Sequence, residues 1–383
     1  MVSKIYFDHS ATTPVHPEAV IELYRFLTDN FGNPTSLHYF GRRARKAVEE
    51  AREKVALAIG ALDKEIIFTS GGTEADNMAI HGLAYANRHR GNHIITSAVE
   101  HHAVLNTVKA LTKEGFTVSI LPVDRYGRIN VNDVATAITD KTIFITIMHA
   151  NNEVGTIMPL AEIGRLAKER GVYFHTDAVQ SFGKIPVRVD DLGVDLLSIS
   201  GHKIYGPKGI GALYLRSKTR WEQTLFHGGA QEQLRRAGTE NTPGIVALGK
   251  VAEIAVNELE QEANRLIKLR DKLIKGITQK IKGAYLTGHP TERLPNHASF
   301  CFEFMEGESL LLSLDQKGIA ASSGAACTAG SLEPSHVLTA MGIPPEIAHN
   351  SLRLSLGRDN TALEVEHFLE VFSSITEELQ VNS

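Results

Sequence analysis

Cysteine is scarce in this chain. Only Cys301 and Cys327 occur among its 383 residues, far apart and in no C-x-x-C pattern. That argues against a disulfide framework and against a zinc site, and a reducing cytoplasm is expected. Long apolar runs are also missing: none approaches the ~20 residues that a membrane helix needs. The opening residues, Met1 to Asp8, are too polar for a secretory signal. Neither sign of charge dominates, since 40 Lys and Arg stand against 44 Asp and Glu for a net −4. No basic field points to nucleic acid or to an anionic membrane. Internal repeats and low-complexity tails are absent as well. What is present is ordinary for an enzyme: 43% hydrophobic and 22% charged residues, in a chain long enough for two domains.

Short apolar runs alternate with helical patterns, the signature of an α/β protein with a largely parallel sheet. Strands are expected at 65–69, 93–96, 118–121, 142–147, 172–175, 195–200 and 211–215. A helix is expected from Leu160 to Arg170, closed by Gly171. From Ile245 to about Ile281 apolar residues keep helical spacing among many charges, which predicts one long or interrupted helix leading into a second domain. An alternating strand is expected from Ala298 to Phe304, and Cys301 within it is assigned to packing.

Cys327 stands apart from that pattern. It lies in a run of ten small residues, Ser322 to Ser331, with almost no neighbouring side chain to pack against. A thiol in a segment that buries little apolar area is placed to react and to carry its product elsewhere. A plain loop that contains a cysteine is the competing reading, and a lysine upstream decides between them. Lys203 follows the strand 195–200, in Gly201-His202-Lys203, at the sheet edge where ligands bind in open α/β folds. A desolvated lysine there makes a nucleophilic amine.

Four further segments each follow a strand and each supply one part of a pyridoxal phosphate site. Ser70-Gly71-Gly72-Thr73 lets backbone N–H groups approach a phosphate, with Thr73 and Asp76 read as a capping box. No Gly-Lys-Ser/Thr follows, so it is not a Walker loop. Asp177 is placed to keep a pyridinium nitrogen protonated, and Gln180 lies one turn on, within reach of the ring oxygen. In Glu100-His101-His102 an imidazole is available to stack on a flat ring, and adjacent histidines on a strand would face opposite ways. Asn152, in Asn151-Asn152-Glu153-Val154-Gly155, can bond the ring oxygen or a substrate carboxylate. Each segment alone reads as a capped turn; the ordered set of five is far more specific. No metal site is expected.

With these motifs the chain resembles the cysteine desulfurases of the iron–sulfur-cluster and nitrogen-fixation type, in the class-V aminotransferase family. The likeness runs from Tyr6-Phe7-Asp8-His9 and Phe31-Gly32-Asn33-Pro34 to Arg236-Ala237-Gly238-Thr239, Leu332-Glu333-Pro334-Ser335-His336 and Ser351-Leu352-Arg353. It implies an α/β, fold type I architecture. A large domain of residues 15–256 would carry a mostly parallel sheet. A smaller α+β domain of residues 1–14 and 257–383 would carry the cysteine segment. Lys203 would hold pyridoxal phosphate as a Schiff base, His101 would stack on the ring, Asp177 would pair with its nitrogen, and Gln180 and Asn152 would contact its oxygen. Gly72, Thr73, Ser200 and His202 would bind the phosphate, and Thr239 would reach the phosphate of a neighbouring subunit, so a homodimer is implied. Arg353 would clamp the substrate carboxylate, with Asn152 beside it.

The resemblance further implies that L-cysteine becomes L-alanine while its sulfur passes to Cys327 as a persulfide. Lys203 would take the α-proton, and His101 would help the thiol to ionise. An iron–sulfur scaffold protein is the implied acceptor. Ser-Ser-Gly-x-Ala-Cys followed by Glu-Pro-Ser-His is similar to the group with the longer cysteine loop. Ala325 stands where many relatives have Ser, and Gly71-Gly72 where they have Gly-Ala. Selenocysteine lyase, ordinary aminotransferase and a docking platform with little turnover are the rival readings.

Overall fold

The computed structural model describes residues 4–222, 225–324 and 334–381, so Cys327 and Ala325 lie outside the described residues. Strand β1 (Ile5–Tyr6) precedes a seven-stranded sheet made of β2 (Ile66–Thr69), β3 (His93–Ser97), β4 (Thr117–Leu121), β5 (Thr142–Thr146), β6 (Tyr173–Asp177), β7 (Leu196–Ser200) and β8 (Gly211–Leu215). The spatial order is β2-β8-β7-β6-β5-β3-β4. Only β8 runs against its neighbours. Every residue of β3, β5 and β7 is buried, because helices cover both faces. Such strands read as continuous apolar runs, which is why they were legible. Edge strand β4 is partly exposed.

Helices α1 (Pro17–Thr28), α2 (Tyr39–Ile59), α3 (Gly72–Asn87), α4 (His102–Thr112), α5 (Val131–Ala137), α6 (Leu160–Arg170) and α7 (Val189–Leu192) belong to this part. Helix α6 ends as expected on Gly171, whose φ of 65° is the left-handed conformation that glycine adopts freely. The strands β2, β3, β5, β6 and β7 all point the same way. The loops after them therefore open at one edge of the sheet.

The long helical stretch is two helices, α8 (Thr242–Asn257) and α9 (Leu259–Lys280), broken at Glu258. The break has a packing reason. Ile245, Leu248 and Val251 join the core of the large sheet, whereas Leu266, Leu273 and Ile277 join a second core. That second core is built on an antiparallel sheet of β9 (Ala284–Thr287), β10 (His297–Phe302) and β12 (Ser351–Ser355). Helices α10 (Gly307–Gln316) and α13 (Ala362–Val381) complete it, whereas α11 (His336–Ala340) and α12 (Pro345–Ala348) pack their buried residues into the large core, and β1 pairs in parallel with β11 (Ile319–Ala320).

Strand β10 departs from the expectation of one polar and one apolar face: all six residues are buried. Ala298, Phe300 and Phe302 enter the second core, while Cys301 on the other face enters the large one. The strand ends at Phe302, two residues short of the expected limit. Cys301 packs as expected, and burial pushes its thiol up to about 12.

One buried ion pair holds a strained segment. Arg52 on α2 grips Glu232 through two bonds of 2.8 Å, and Glu232 also accepts from the Phe68 amide at 2.9 Å. Glu232, Gln233 and Leu234 have φ of 48°, 57° and 66°. Left-handed backbone costs L-residues roughly 1–2 kcal/mol each, so the pair must hold it. Glu232→Ala removes the buried partner of Arg52 and leaves it only the half-exposed Glu49, and a loss of about 3 kcal/mol in urea unfolding is expected; Glu49→Ala should cost well under half of that.

Candidate active site

At the carboxyl edge of the large sheet lies a cavity of about 310 Å³. Its wall contains Gly72, Thr73, His101, Asn152, Asp177, Gln180, Ser200, His202, Lys203 and Arg353. The structure thus brings together ten of the residues singled out in the sequence. Thr239 lies elsewhere, lining a separate cleft with Ser70, Arg236 and Asn241.

The turn from β2 to α3 forms one end. Gly71 has φ 156°, a conformation that favours glycine, and a Cβ on Gly72 would come within 2.6 Å of Val179 Cγ2, so a larger residue there would require that side chain to shift. Helix α3 begins at Gly72, and its first amides have no partner within the helix. They and the helix dipole favour an anion there. The expected Thr73–Asp76 capping box does not form. Its place is taken by Glu74, which accepts from the Ser70 amide at 2.9 Å and from Ser70 Oγ at 2.5 Å. Arg236 holds the same carboxylate at 2.9 Å. Because the helix starts at Gly72, Asp76 turns inward and joins the cavity wall instead.

Asp76 and Asp177 are both buried. Burial pushes the Asp177 carboxyl up to about 6, although the Val179 amide at 2.8 Å and Lys203 pull it down. Burial, then the charge of Asp177, also raises Asp76. Asp76 Oδ1 has no hydrogen-bond partner among the described residues. Lys203 offsets only part of the cost of burying two acids side by side, and a protonated ring nitrogen would supply a further cation.

Lys203 sits in a short 3₁₀ turn directly after β7. Its Nζ donates to the carbonyls of Ser10 at 2.5 Å and Ala11 at 2.7 Å. The chain near Ser10 is itself pinned: the Ser10 amide donates to Ser355 Oγ at 2.8 Å, and the Thr13 amide to the His202 carbonyl at 3.0 Å. His202 Nδ1 lies 3.2 Å from Thr12 Oγ1. Burial and the neighbouring lysines hold the His202 ring down to about 4, so it is neutral.

His101 is not on a strand. It is the N-cap of α4, and its Nδ1 accepts from the Ala103 amide at 3.1 Å. Burial and Lys203 lower it to about 4. In the neutral ring the proton then sits on Nε2, which donates. His102 packs against His336 instead, with ring centroids 4.7 Å apart. The Asn151-Asn152 turn divides its work. Asn151 is structural, bonding the Val99 carbonyl and the amides of Glu153 and Val154. Asn152 lines the cavity.

Arg353, on β12, is nearly fully buried. Nη2 donates to Asp8 Oδ1 at 2.9 Å and Nη1 to the Asn152 carbonyl at 3.2 Å, while Nε has no partner among the described residues. The stretch entering the cysteine segment is tied to the same place. Ser322 accepts from the Arg353 amide at 2.6 Å and donates from Oγ to Asp8 Oδ2 at 3.0 Å. On the far side Ser335 Oγ donates to buried Glu153, whose carboxyl burial raises to about 7. Cys327 itself lies outside the described residues.

The sequence reading missed Asp8, Asp76, Glu153 and the carbonyls of Ser10 and Ala11. Asp8 and Glu153 stand inside quoted motifs, but nothing in those motifs shows which neighbour they meet in space.

The donor set fits pyridoxal phosphate: an amide-lined helix start for the phosphate, buried carboxylates for the ring nitrogen, and a lysine between them. The sequence model of the aminotransferase class-V family matches residues 5–368. Cysteine desulfurase IscS of Methanosarcina thermophila is 56% identical, over 98% of this chain and 93% of its own length. Its namesake from Dictyoglomus turgidum is 52% identical over 100% and 97%. Among solved structures, a NifS-like protein superposes with a TM-score of 0.92 at 39% identity, covering 98% of this chain and 100% of the other. SspA, solved in complex with cysteine, gives 0.82 at 38%, covering 92% and 99%. The chain belongs to the aminotransferase class-V family and, within it, to the cysteine desulfurases.

Glu100 provides a test of the buried charges around the cavity. It accepts from Ser97 Oγ at 2.5 Å and from the Met148 amide at 2.9 Å, yet burial raises it to about 8. A carboxyl whose folded pKa lies above its unfolded value adds stability below the unfolded value, and that contribution is lost as pH rises through about 8. The urea midpoint of the wild type is expected to fall relative to Glu100→Gln between pH 5 and 9, and parallel curves would refute the burial argument.

Proposed function

We infer that the chain is a pyridoxal phosphate-dependent cysteine desulfurase, taking sulfur from L-cysteine and releasing L-alanine. The convergence of Lys203, Asp177 and the α3 amide terminus on one cavity, with Arg353 in its wall, carries this reading. When bound, pyridoxal phosphate supplies an electron sink for the pair left by a departing α-proton.

The residues divide the work as follows. Gly72, Thr73, Ser200 and His202 hold the phosphate. Asp177 keeps the ring nitrogen protonated, and Gln180 and Asn152 meet the ring oxygen. Lys203 is the covalent anchor and then the base that removes the α-proton. Its partners include the carbonyls of Ser10 and Ala11, which accept from it and hold Nζ in place. Arg353 binds the substrate carboxylate, and the Asp8 carboxylate keeps its fork in place. His101 stacks over the ring and donates from Nε2. It takes up a proton from the Cys327 thiol only by releasing the Ala103 amide.

Sulfur moves by nucleophilic attack of the Cys327 thiolate on the substrate thiol sulfur. An S–S bond forms as the substrate C–S bond breaks, and the carbon skeleton leaves as alanine after protonation. Persulfide sulfur then passes to an acceptor, and iron–sulfur cluster assembly is the pathway that the family membership supports. A division into domains of residues 15–256 and of 1–14 with 257–383 is the proposed organisation; Ile5, Phe7, Leu266 and Phe368 in one separate core support it, while Cys301, Val337 and Leu338 pack across into the large core. A homodimer is supported by two observations. Thr239 lies outside the cavity of its own chain, and Val20, Ile21, Tyr24 and Leu27 on or near one side of α1 are 47–65% exposed. A cytoplasmic location fits the free thiols. Among the described residues no helix is long and apolar enough to cross a membrane.

The test is the fate of L-cysteine with the cofactor-loaded protein. Alanine should appear together with one added sulfur in the intact mass. Cys327→Ala should lose the sulfur adduct and at least 99% of turnover while keeping the cofactor's visible band. Normal sulfide release from that variant would remove Cys327 from the mechanism. Lys203→Ala should bind the cofactor without the lysine-linked band, and an unchanged band would displace Lys203 from its role.

A further inference from the structure

Lys184 is a buried-side lysine that none of the steps above uses. It follows Gln180 by one helical turn, and its Nζ donates to the Gln180 carbonyl at 3.0 Å and to Gln180 Oε1 at 3.1 Å. Among the described residues no carboxylate pairs with it. Burial, then the charges of Lys203 and Arg353, pull it down to about 7. A lysine held under those conditions does not stabilise the fold through an ion pair. Its contacts show a different use.

In its protonated form Lys184 only donates, so the Gln180 atom facing it is the amide oxygen. A backbone carbonyl only accepts, so the Gln180 atom facing Ser10 must be the amide nitrogen, and Nε2 donates there at 2.9 Å. The two constraints agree and fix which way the amide points. One Nε2 hydrogen is taken by Ser10. The other remains on a side chain that lines the 310 Å³ cavity. Gln180 therefore offers the cavity a donor rather than an acceptor. The Ser10 carbonyl also accepts from Lys203 Nζ at 2.5 Å, so Lys184, Gln180 and Lys203 are joined through one oxygen.

We propose that Lys184 is a positioning residue that locks the Gln180 amide with its N–H toward the cavity, so that Gln180 donates to an acceptor oxygen of the bound cofactor. The inference rests on the pyridoxal phosphate reading. Without Lys184 only the Ser10 carbonyl, among the described residues, distinguishes the two ends of the amide, so the competing rotamer is opposed by one contact instead of two.

The test measures pyridoxal phosphate affinity and the visible band of the bound cofactor in wild type, Lys184→Met, Lys184→Arg, Gln180→Ala and the Lys184→Met/Gln180→Ala double variant. Lys184→Met should weaken affinity roughly 3- to 10-fold, about the worth of one hydrogen bond, and should move the band as Gln180→Ala does. The double variant should match Gln180→Ala alone, because Lys184 acts through that side chain. Lys184→Arg, also a pure donor, should keep the wild-type band. Gln180→Glu covers the case in which Lys184→Met does not fold. It pairs with Lys184 yet presents oxygen in both positions, so it should fold and weaken affinity at least as much. Additive losses in the double variant, an unmoved band in Lys184→Met, or wild-type affinity in Gln180→Glu each overturn the proposal. Failure of the wild type itself to bind pyridoxal phosphate would instead overturn the cofactor reading.

Discussion

Keeping ionisable groups away from water at one edge of a sheet is the constraint on which the site depends. Asp76, Asp177 and Glu100 are buried there, with their carboxyls held above the usual range. Lys203 is met by two carbonyls and Arg353 by one carboxylate and one carbonyl. Such groups are expensive to bury singly and attract any ligand that completes their partnerships. The acids want a cation and the α3 terminus wants an anion. A molecule with a protonated ring nitrogen and a phosphate satisfies both at once. Recognition here is therefore largely the repair of electrostatic deficits that the fold creates.

The fold creates them by topology. Parallel strands put all their following loops on one side, so residues from 72 to 203 meet without any loop needing to be long. The second core then closes the remaining side. Strand β12 brings Arg353, and the turn at His9 to Ala11 brings carbonyls from the other end of the chain. Strand β10 ties the cores together, since its alternate side chains serve different ones. A one-residue slip in its register would exchange the two sets and damage both cores together.

Much of this was readable before any coordinates. Strands buried on both faces leave uninterrupted apolar runs, so β2, β3, β5, β6, β7 and β8 were placed to within two residues. The residues that follow them were legible because their types are unusual at a sheet edge: glycines, histidine, asparagine, aspartate and lysine. The rest depended on contacts that no local pattern encodes. Thr73 and Asp76 satisfied a capping pattern, but Arg236, distant in sequence, selected Glu74 for that role. His101 was expected just after a strand, and its further role as the cap of α4 was not read from the sequence. The polar side expected of β10 vanished because the core of the large sheet covers it. Glu258 breaks the long helix where the two cores part, and helical spacing continues on both sides of the break.

The pairing of chain ends also sets a timetable. The Ser10 amide is held by Ser355, 345 residues away in sequence, and β1 finds its partner only in β11. Ribosomes add about 5–20 residues per second. The wall that holds Lys203 thus waits on the order of tens of seconds after its first residues emerge. The large sheet with its lysine is synthesised well before that wall is complete. Cofactor capture in its finished geometry consequently waits until residue 355 has emerged, and a nascent product that stops short of it lacks a fully formed site.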